Sequence, residues 1–248
     1  MRQAAFLLSL LLCLGCSRGP KDYRIEVVAE YPHDIHAYTQ GLFWHDGILC
    51  ESTGQRGESS FREVDLQSGE PTRRIDFSDK YFGEGSVILD GKLYILTWTN
   101  GVVFVYDLQA LTYLTSYSYP REGWGLTTDG ESLIASDGSS RIYFLDKELK
   151  LQRSIGVRYE GRALRLLNEL EWIDGRIWAN IYTTDKIAVI NPKDGTVEAM
   201  IDCSGLLPRE LRTRSTDVLN GIAYNPEDGR IYLTGKYWPR LYEVRLKK

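Results

Sequence analysis

One phrase of apolar and polar positions recurs along the chain: an apolar pair, an Asp-Gly dipeptide, and then apolar residues alternating with polar ones up to a Ser or Thr. Asp and Gly tolerate the positive φ that tight hairpin turns need, so each dipeptide is predicted to join two antiparallel strands. The dipeptides begin at Asp46, Asp90, Asp129, Asp174 and Asp228, at intervals of 44, 39, 45 and 54 residues. A period of roughly 40–45 residues is typical of one four-stranded propeller blade. The repeat therefore predicts an all-β fold, a five-bladed β-propeller.

Further strands follow each hairpin. Third strands are predicted at residues 61–66, 102–108, 141–146, 187–190 and 241–246. The first four repeats continue into a fourth strand, as at residues 72–77 and 196–201, whereas the fifth repeat holds only three. Residues 23–30 alternate well ahead of the first repeat. This N-terminal strand is predicted to complete the last blade, which closes the ring and leaves no exposed sheet edge.

No linker or low-complexity tract interrupts residues 23–248, which are predicted to form one domain. Two stretches, residues 159–167 and 205–217, break the period, and each is expected to hold a helical turn over one face. Mobile loops at the rim of a propeller can shape a substrate entrance, and ordinary surface loops are the alternative.

The N-terminal residues have the pattern of an export signal. Arg2 precedes residues 4–14, which are apolar apart from Ser9 and too few to span a bilayer as a permanent helix. The following Gly15-Cys16 pair resembles a bacterial lipoprotein box, in which Cys16 is lipidated and residues 17–22 form a tether. A plain signal peptide cut nearby is the alternative, and both predict an exported protein, either periplasmic or anchored to a bacterial membrane.

Composition narrows the choice of partners. A net charge of -4 provides no basic footprint, which argues against a nucleic-acid partner.

Cys50 and Cys203 stand far apart and outside any metal-like spacing, so two separate buried thiols are favoured over a disulfide. His33 and His36 have the spacing of a possible loop metal site, but with no Cys nearby this interpretation is weak.

Candidate chemistry lies where the first strand of each repeat begins, since these strands line the central channel of a propeller. Gln40, Glu84 and Asn168 each stand six residues before the Asp of their repeat, and Trp124 stands five before its Asp. Glu84 lies between two glycines and directly after Phe82-Gly83. An aromatic wall would desolvate this carboxylate and raise its pKa, which makes Glu84 a candidate general acid/base.

Further candidates follow the second strands, namely Trp98, Tyr182 and Lys236. The phrases TQGL, FGEG, LTW, EGWGLT, SDGS, LNELEW, ANIY, LNGIA and TGKYW occur in this order from residue 38 to residue 238. Together they resemble the plant and bacterial type of glutaminyl cyclase, also called glutamine cyclotransferase. The resemblance implies a five-bladed propeller without a metal or other cofactor. It also implies a monomeric enzyme that converts the N-terminal glutamine of peptides and proteins into pyroglutamate with release of ammonia.

The resemblance also implies roles for the candidates. Glu84 would take a proton from the α-amine and return it to the departing ammonia, while Asn168 and Lys236 would donate hydrogen bonds to the oxyanion. Substrate would bind in a pocket with aromatic walls, formed by Tyr38, Phe82, Trp98 and Trp124. Gln40 would supply one amide contact in this pocket. Tyr182 replaces a family Trp, and Tyr38 stands where Phe is common, so the pocket is expected to be wetter or to prefer different second residues.

Two alternatives stay open at the level of the sequence. The first is a binding propeller on the cell surface that has no turnover. The second is a metal-dependent propeller hydrolase such as a lactonase, which would need several carboxylates facing the channel. The starts of the first strands supply chiefly Glu84 and Glu169. Glu169 and Glu171 share a strand face and are expected to stabilise the ring or to pair with a basic rim residue.

Overall fold

The computed structural model describes residues 19–248. The predicted signal peptide at residues 1–16, with Cys16 and the start of the tether, lies outside the described residues, so export and lipidation stay predictions. Within residues 19–248, no helix has the length and apolarity that crossing a membrane requires.

Nearly all regular structure in the described chain is β-strand, which confirms the all-β prediction. In chain order the first strands are β1 (Lys21–Pro32), β2 (Thr39–His45), β3 (Ile48–Thr53), β4 (Ser60–Val64), β5 (Pro71–Asp76), β6 (Gly83–Leu89), β7 (Lys92–Thr97), β8 (Val102–Asp107), β9 (Tyr113–Ser118), β10 (Leu126–Thr128), β11 (Leu133–Ser136), β12 (Arg141–Leu145) and β13 (Leu151–Gly156). They are followed by β14 (Arg158–Tyr159), β15 (Arg162–Ala163), β16 (Leu167–Ile173), β17 (Arg176–Ile181), β18 (Lys186–Ile190), β19 (Val197–Asp202), a 3₁₀ helix (Arg209–Leu211), β20 (Leu219–Asn225), β21 (Arg230–Gly235) and β22 (Arg240–Lys247).

Within each sheet, neighbouring strands that are consecutive in the chain pair antiparallel. β2–β5, β6–β9 and β10–β13 each make a four-stranded sheet, as the repeat predicts. The remaining long strands make one eight-stranded sheet in the order β16-β17-β18-β19-β1-β22-β21-β20. Here the structure differs from a set of separate blades, because β1 pairs with β22 antiparallel and also with β19 in parallel. The N-terminal strand thus joins the last two groups of strands into one sheet.

The Asp-Gly turns occur where predicted but are of two kinds. Both residues of the dipeptides at Asp46, Asp90 and Asp174 have positive φ, the conformation of a two-residue type I′ hairpin. At Asp129 and Asp228 only the glycine has positive φ. These two connections span residues 129–132 and 226–229, because the flanking strands pair through Thr128 with Leu133 and through Asn225 with Arg230.

Apolar side chains fill the space between successive sheets. Five apolar clusters each contain residues from two neighbouring groups of strands, for example Phe61 and Ile95, Leu96 and Leu133, Ile134 and Ile177, Ile187 and Leu233, and Leu42 and Tyr232. The first strands of the sheets contact one another in a closed circuit that runs β2, β6, β10, β16, β20 and back to β2. The core is therefore distributed around a central axis rather than gathered in one layer.

Buried carboxylates tie this circuit together. On β16, Glu169 accepts hydrogen bonds from the backbone N–H groups of Leu42 on β2 (3.2 Å) and Ile222 on β20 (3.0 Å). Glu171, two residues on, accepts one from the N–H of Tyr224 (3.0 Å). These two side chains thus act as clamps between strands, the stabilising role expected of them, and no basic rim residue pairs with them among the described residues.

The two period-breaking stretches differ. Residues 205–217 contain the expected helical turn, the 3₁₀ helix Arg209–Leu211. The expected helical turn in residues 159–167 is wrong, because β14 and β15 form a short hairpin there instead. Glu160 and Gly161 both have positive φ, which closes a tight turn rather than continuing a helix. Cys50 and Cys203 are free and buried, as expected.

Candidate active site

At the end of the circuit where the first strands begin, side chains surround a cavity of about 340 Å³. Its lining consists of Tyr38, Gln40, Gln55, Phe82, Glu84, Trp98, Trp124, Asn168, Tyr182 and Lys236. The structure thus brings all nine sequence-predicted pocket residues together, although they come from five separate repeats. The tenth, Gln55, was not predicted.

Bulges in the first strands aim the polar residues at the cavity. The pairing of β2 with β3 shifts register between Thr39 and Gly41, that of β6 with β7 between Gly83 and Ser86, and that of β16 with β17 between Leu167 and Leu170. The residues left inside these shifts include Gln40, Glu84 and Asn168. A β-bulge turns an extra residue out of the regular alternation, so the same irregularity delivers each of the three side chains to one place.

The glycine after Glu84 has a packing role. A Cβ at Gly85 would lie 2.6 Å from the carbonyl oxygen of Trp124 and 2.5 Å from the backbone nitrogen of Leu126. Instead the N–H of Gly85 donates to that Trp124 carbonyl (2.8 Å). Glycine here lets neighbouring first strands approach closely, which sets Glu84 beside Trp124.

A repeated backbone hydrogen bond positions the residues that follow the second strands. The N–H of Trp98 donates to the carbonyl of Phe82 (3.0 Å), that of Tyr182 to Leu166 (2.8 Å), and that of Lys236 to Val218 (2.9 Å). Each bond crosses from the end of a second strand to the residue just before the first strand of the same repeat. Consequently Trp98, Tyr182 and Lys236 stand over the bulged residues rather than in loops of their own.

Glu84 is 4% exposed and lines the cavity. Burial raises the pKa of this carboxyl well above its ordinary value; the nearby Lys236 ammonium opposes the shift and the Glu122 carboxylate adds to it. A carboxyl group with a raised pKa is a stronger base than an exposed Glu, which suits Glu84 to accept and return a proton.

Lys236 is 2% exposed, and burial lowers its pKa, while the carboxylates of Glu84 and Asp217 work in the opposite direction. Its Nζ lies 4.4 Å from the ring centroid of Tyr38 and 5.1 Å from that of Tyr182, so both aromatic faces contact the ammonium. Asn168, 3% exposed, adds an amide to the lining of the same cavity. The site therefore combines a tunable acid, a buried cation and an amide donor.

Aromatic side chains form the wall. Edge contacts join Tyr38 to Phe82 (6.0 Å between centroids) and Phe82 to Trp98 (5.6 Å). A separate edge contact joins Trp124 to Tyr182 (5.6 Å). The wall gives the cavity a largely apolar lining around its few polar side chains, as is usual for sites that take a small molecule.

The sequence analysis missed three residues near the site. Gln55 follows Gly54, which stands at the position equivalent to Trp98, Tyr182 and Lys236; the absence of a side chain at Gly54 was the available signal. Glu122 accepts hydrogen bonds from two indoles of the wall. Asp217 affects the pKa of both Tyr38 and Lys236 from the 205–217 insertion. Asp217 lies far in sequence from Tyr38 and Lys236, and Glu122 lies 24 residues from Trp98, so these contacts carry no local pattern; the bond from Trp124 to Glu122 spans only two residues.

Other features of the described chain do not compete with this cavity. A larger groove of about 850 Å³ lies beside β1 and β19, but Arg176 on its rim is already paired with Glu198 (2.6 Å) and its floor is apolar. No group of three or more His, Cys, Asp or Glu side chains in residues 19–248 is arranged to hold a metal ion. His33 has both ring nitrogens against oxygen acceptors, Trp238 O (2.7 Å) and Glu51 Oε1 (3.1 Å), which leaves neither for a metal.

The arrangement suits proton transfer to and from a small substrate that carries an amine and an amide. Aromatic faces and a buried carboxylate are groups that can bind a cation or its free amine, and the side chains of Asn168 and Lys236 have N–H groups that can donate to a carbonyl oxygen. Fold and site together define an all-β protein with an acid/base pocket at the centre of a circuit of strands.

Comparisons with known proteins agree with this class. The glutamine cyclotransferase family model matches residues 4–246. A glutaminyl-peptide cyclotransferase of Arabidopsis thaliana is 44% identical over 229 residues, which are 90% of this chain and 72% of that protein. The crystal structure of Myxococcus xanthus glutaminyl cyclase superposes with a TM-score of 0.86 at 36% identity, covering 92% of this chain and 98% of that one.

The chain belongs to the glutamine cyclotransferase family. At the level of fold alone, the WD40 β-propeller domain of Doa1 superposes with a TM-score of 0.50 at 10% identity, over 84% of this chain and 63% of that chain. The architecture is accordingly propeller-like.

Proposed function

We propose that this protein is a glutaminyl-peptide cyclotransferase that converts the N-terminal glutamine of peptides or proteins into pyroglutamate and releases ammonia. The observation that carries the proposal is the single cavity in which Glu84, Asn168 and Lys236 meet Gln40 and five aromatic rings. Family membership supports the same reaction.

Glu84 is the proton carrier. The free α-amine attacks its own γ-carboxamide carbon, forming a C–N bond and a tetrahedral intermediate. The amine nitrogen then loses a proton to the Glu84 carboxylate, which returns it to the departing nitrogen as the original C–N bond breaks. One carboxyl group with a raised pKa suits both transfers, since it is a stronger base than an ordinary Glu and still a competent acid.

Asn168 and Lys236 stabilise the intermediate. Its oxygen becomes negative as the carbonyl is attacked, and donors held ready in a buried site lower the energy of that state without reorganising. Removing one such donor typically costs about 10²–10³ in kcat. Gln40 offers its amide to the substrate amide or backbone.

The aromatic wall holds the glutamine side chain bent toward its own amine. Restricting a flexible side chain before reaction removes rotational freedom that the cyclisation would otherwise have to lose. Tyr38 and Tyr182 add hydroxyl groups to this wall, and the preference for the residue after glutamine depends on them.

We also infer that the strands form five blades. Support comes from the closed circuit of the first strands β2, β6, β10, β16 and β20 and from the apolar clusters between successive groups of strands. In this interpretation the eight-stranded sheet consists of two blades joined where β1 pairs with β19. A crystal structure that contained a different number of repeats around the axis would contradict it.

Ammonia release from a glutaminyl dipeptide tests the activity. Purified protein should release ammonia in proportion to pyroglutamyl product, as measured by a coupled ammonia assay and mass spectrometry, and a chelator should leave the rate unchanged. The matched control is the asparaginyl dipeptide, whose shorter side chain cannot form the five-membered lactam. If several glutaminyl substrates yielded no ammonia, the enzymatic function would be rejected and the binding propeller favoured. Loss of activity with chelator would reject metal independence.

A further inference from the structure

The aromatic wall of the cavity consists of two segments rather than one continuous surface. The first segment comprises Tyr38, Phe82 and Trp98, and the second comprises Trp124 and Tyr182, each joined internally by edge contacts of 5.6–6.0 Å between ring centroids. No ring contact joins Trp98 to Trp124 or Tyr182 to Tyr38 among the aromatic pairs of the described chain. The wall therefore has two junctions that something other than ring packing must hold.

Charged groups lie at both junctions. At one, the Lys236 ammonium lies over both Tyr182 and Tyr38. At the other, Glu122 Oε2 accepts a hydrogen bond from Trp98 Nε1 (2.9 Å) and another from Trp124 Nε1 (3.0 Å). A single carboxylate oxygen thus ties Trp98, which is 39% exposed, to Trp124, which also packs against Tyr182.

We propose that Glu122 is a positioning residue that joins the two halves of the aromatic wall by holding Trp98 and Trp124 to one carboxylate oxygen, and that its charge contributes to the acidic limit of activity. The proposal rests on the proposed cyclotransferase function for its kinetic part only. Glu122 itself does not line the cavity and is not a catalytic residue.

The charge of Glu122 also acts on Glu84. Burial is the largest influence and raises the pKa of Glu84, while the Lys236 ammonium favours the ionised form and the Glu122 carboxylate disfavours it. Removing the charge at position 122 takes away one of the two influences that raise this pKa, so the pKa of Glu84 falls. Because Glu84 accepts a proton in its ionised form, the acidic limb of the pH–rate profile should move to lower pH.

Two substitutions separate the hydrogen bonds from the charge. Glu122→Gln keeps an oxygen acceptor but removes the charge, so the acidic limb should move to lower pH with little change in KM. Glu122→Ala removes both, so the same limb shift should come with a KM raised roughly tenfold, the effect of losing two bonds of modest net strength. Glu131→Gln, an exposed carboxylate on the same repeat, is the matched control and should change neither.

A spectroscopic measurement keeps the test independent of turnover. In a ¹H–¹⁵N spectrum of the intact protein, two of the indole N–H signals of its six tryptophans should move in Glu122→Ala and stay in Glu131→Gln. Unmoved indole signals together with an unchanged KM and pH profile would overturn the proposal. If wild-type protein releases no ammonia but the two indole signals move as stated, the proposed function fails while the positioning role of Glu122 stands.

Discussion

At the scale of the residue, Glu84 shows how position rather than identity creates chemistry. The chain has 34 acidic residues, and most of them face solvent. There a carboxyl group is ionised, and its carboxylate is only a weak base. Glu84 differs because a bulge turns it inward and the surrounding aromatic wall removes water. Glu169 is just as buried, yet its oxygens are occupied by backbone N–H groups of two strands, so it holds the fold instead of moving protons.

Replacement of Glu84 should separate catalysis from folding. Glu84→Gln retains the size of the side chain but cannot accept and return a proton, so kcat should fall by about 10²–10⁴ with little change in KM. Glu169→Gln should instead lower the melting temperature. Ammonia release and circular dichroism on both variants measure the two effects, and unchanged turnover in Glu84→Gln would remove this residue from the mechanism.

At the scale of the element, the site is made by two irregularities that recur with the repeat. Bulges in the first strands carry Gln40, Glu84 and Asn168, and the residues just past the second strands carry Trp98, Tyr182 and Lys236. The residues that follow Gly54, Tyr182 and Lys236, namely Gln55, Thr183 and Tyr237, have positive φ, whereas Thr99, which follows Trp98, does not. A left-handed conformation at residues other than glycine costs roughly 1–2 kcal/mol and is often retained near functional sites.

Gln55 provides a test of that strain. Its φ is 80°, and its carbonyl accepts hydrogen bonds from Ser59 Oγ (2.6 Å) and Glu58 N (3.1 Å), which hold the loop. Gln55→Gly should raise the free energy of unfolding by about 1 kcal/mol, because glycine adopts this conformation without steric cost. Denaturant titration measures the change.

The control is Gln67→Gly. Gln67 is an exposed turn residue without positive φ, so this substitution should not raise the free energy of unfolding. A Gln55→Gly protein no more stable than Gln55→Ala would show that the backbone at residue 55 is not strained.

At the scale of the whole molecule, a buried charge network lies at the closing seam, the place where the end of the N-terminal strand β1 meets β3 and the loop between β21 and β22. His33 follows β1, and its side chain is 5% exposed; it lies against Glu51 of β3 and the Trp238 carbonyl, two residues beyond Lys236. Arg62 binds Asp34 beside it (2.7 Å). The network therefore links the first sheet, the N-terminal strand and the loop that carries a pocket residue.

The stability of this seam should depend on pH. Burial alone would lower the pKa of His33, but Glu51, the Trp238 carbonyl and Asp34 outweigh it and raise the pKa above 6.5. A raised pKa in the folded state gives stabilisation that is fully present below the unfolded value of about 6.5 and is lost as pH rises through the folded value. The free energy of unfolding of wild type should thus fall between pH 6 and alkaline pH by more than that of His33→Gln.

Comparison between variants isolates this effect, because burial also raises the pKa values of Glu169 and Glu171, the latter to about 8, and these groups lose stabilisation over the same range. His36→Gln, at the exposed histidine nearby, should follow the wild-type curve. Parallel curves for wild type and His33→Gln would show that His33 is not charged at the seam.

The sequence by itself determined what is local and periodic. Asp-Gly turns depend on backbone preferences of two residues, and the spacing from each Asp back to Gln40, Glu84 and Asn168 is a count along the chain, so strand order and the equivalence of pocket positions could be predicted. The prediction of a helical turn near residue 160 also depended on local sequence, and it was wrong because Glu160 and Gly161 favour a tight turn.

Only the tertiary structure decided what depends on through-space contact. The aromatic and glycine neighbours of Glu84 predicted a raised pKa, but the opposing effects of Lys236 and Glu122 on that pKa depend on the folded site, and the pairing of β1 with β19 requires two edges to meet. Glu122 holds Trp98 and Trp124 through one oxygen, although 24 residues separate it from Trp98. Burial and long-range electrostatics depend on how the strands are arranged in the folded circuit, so they cannot be read from a local sequence motif.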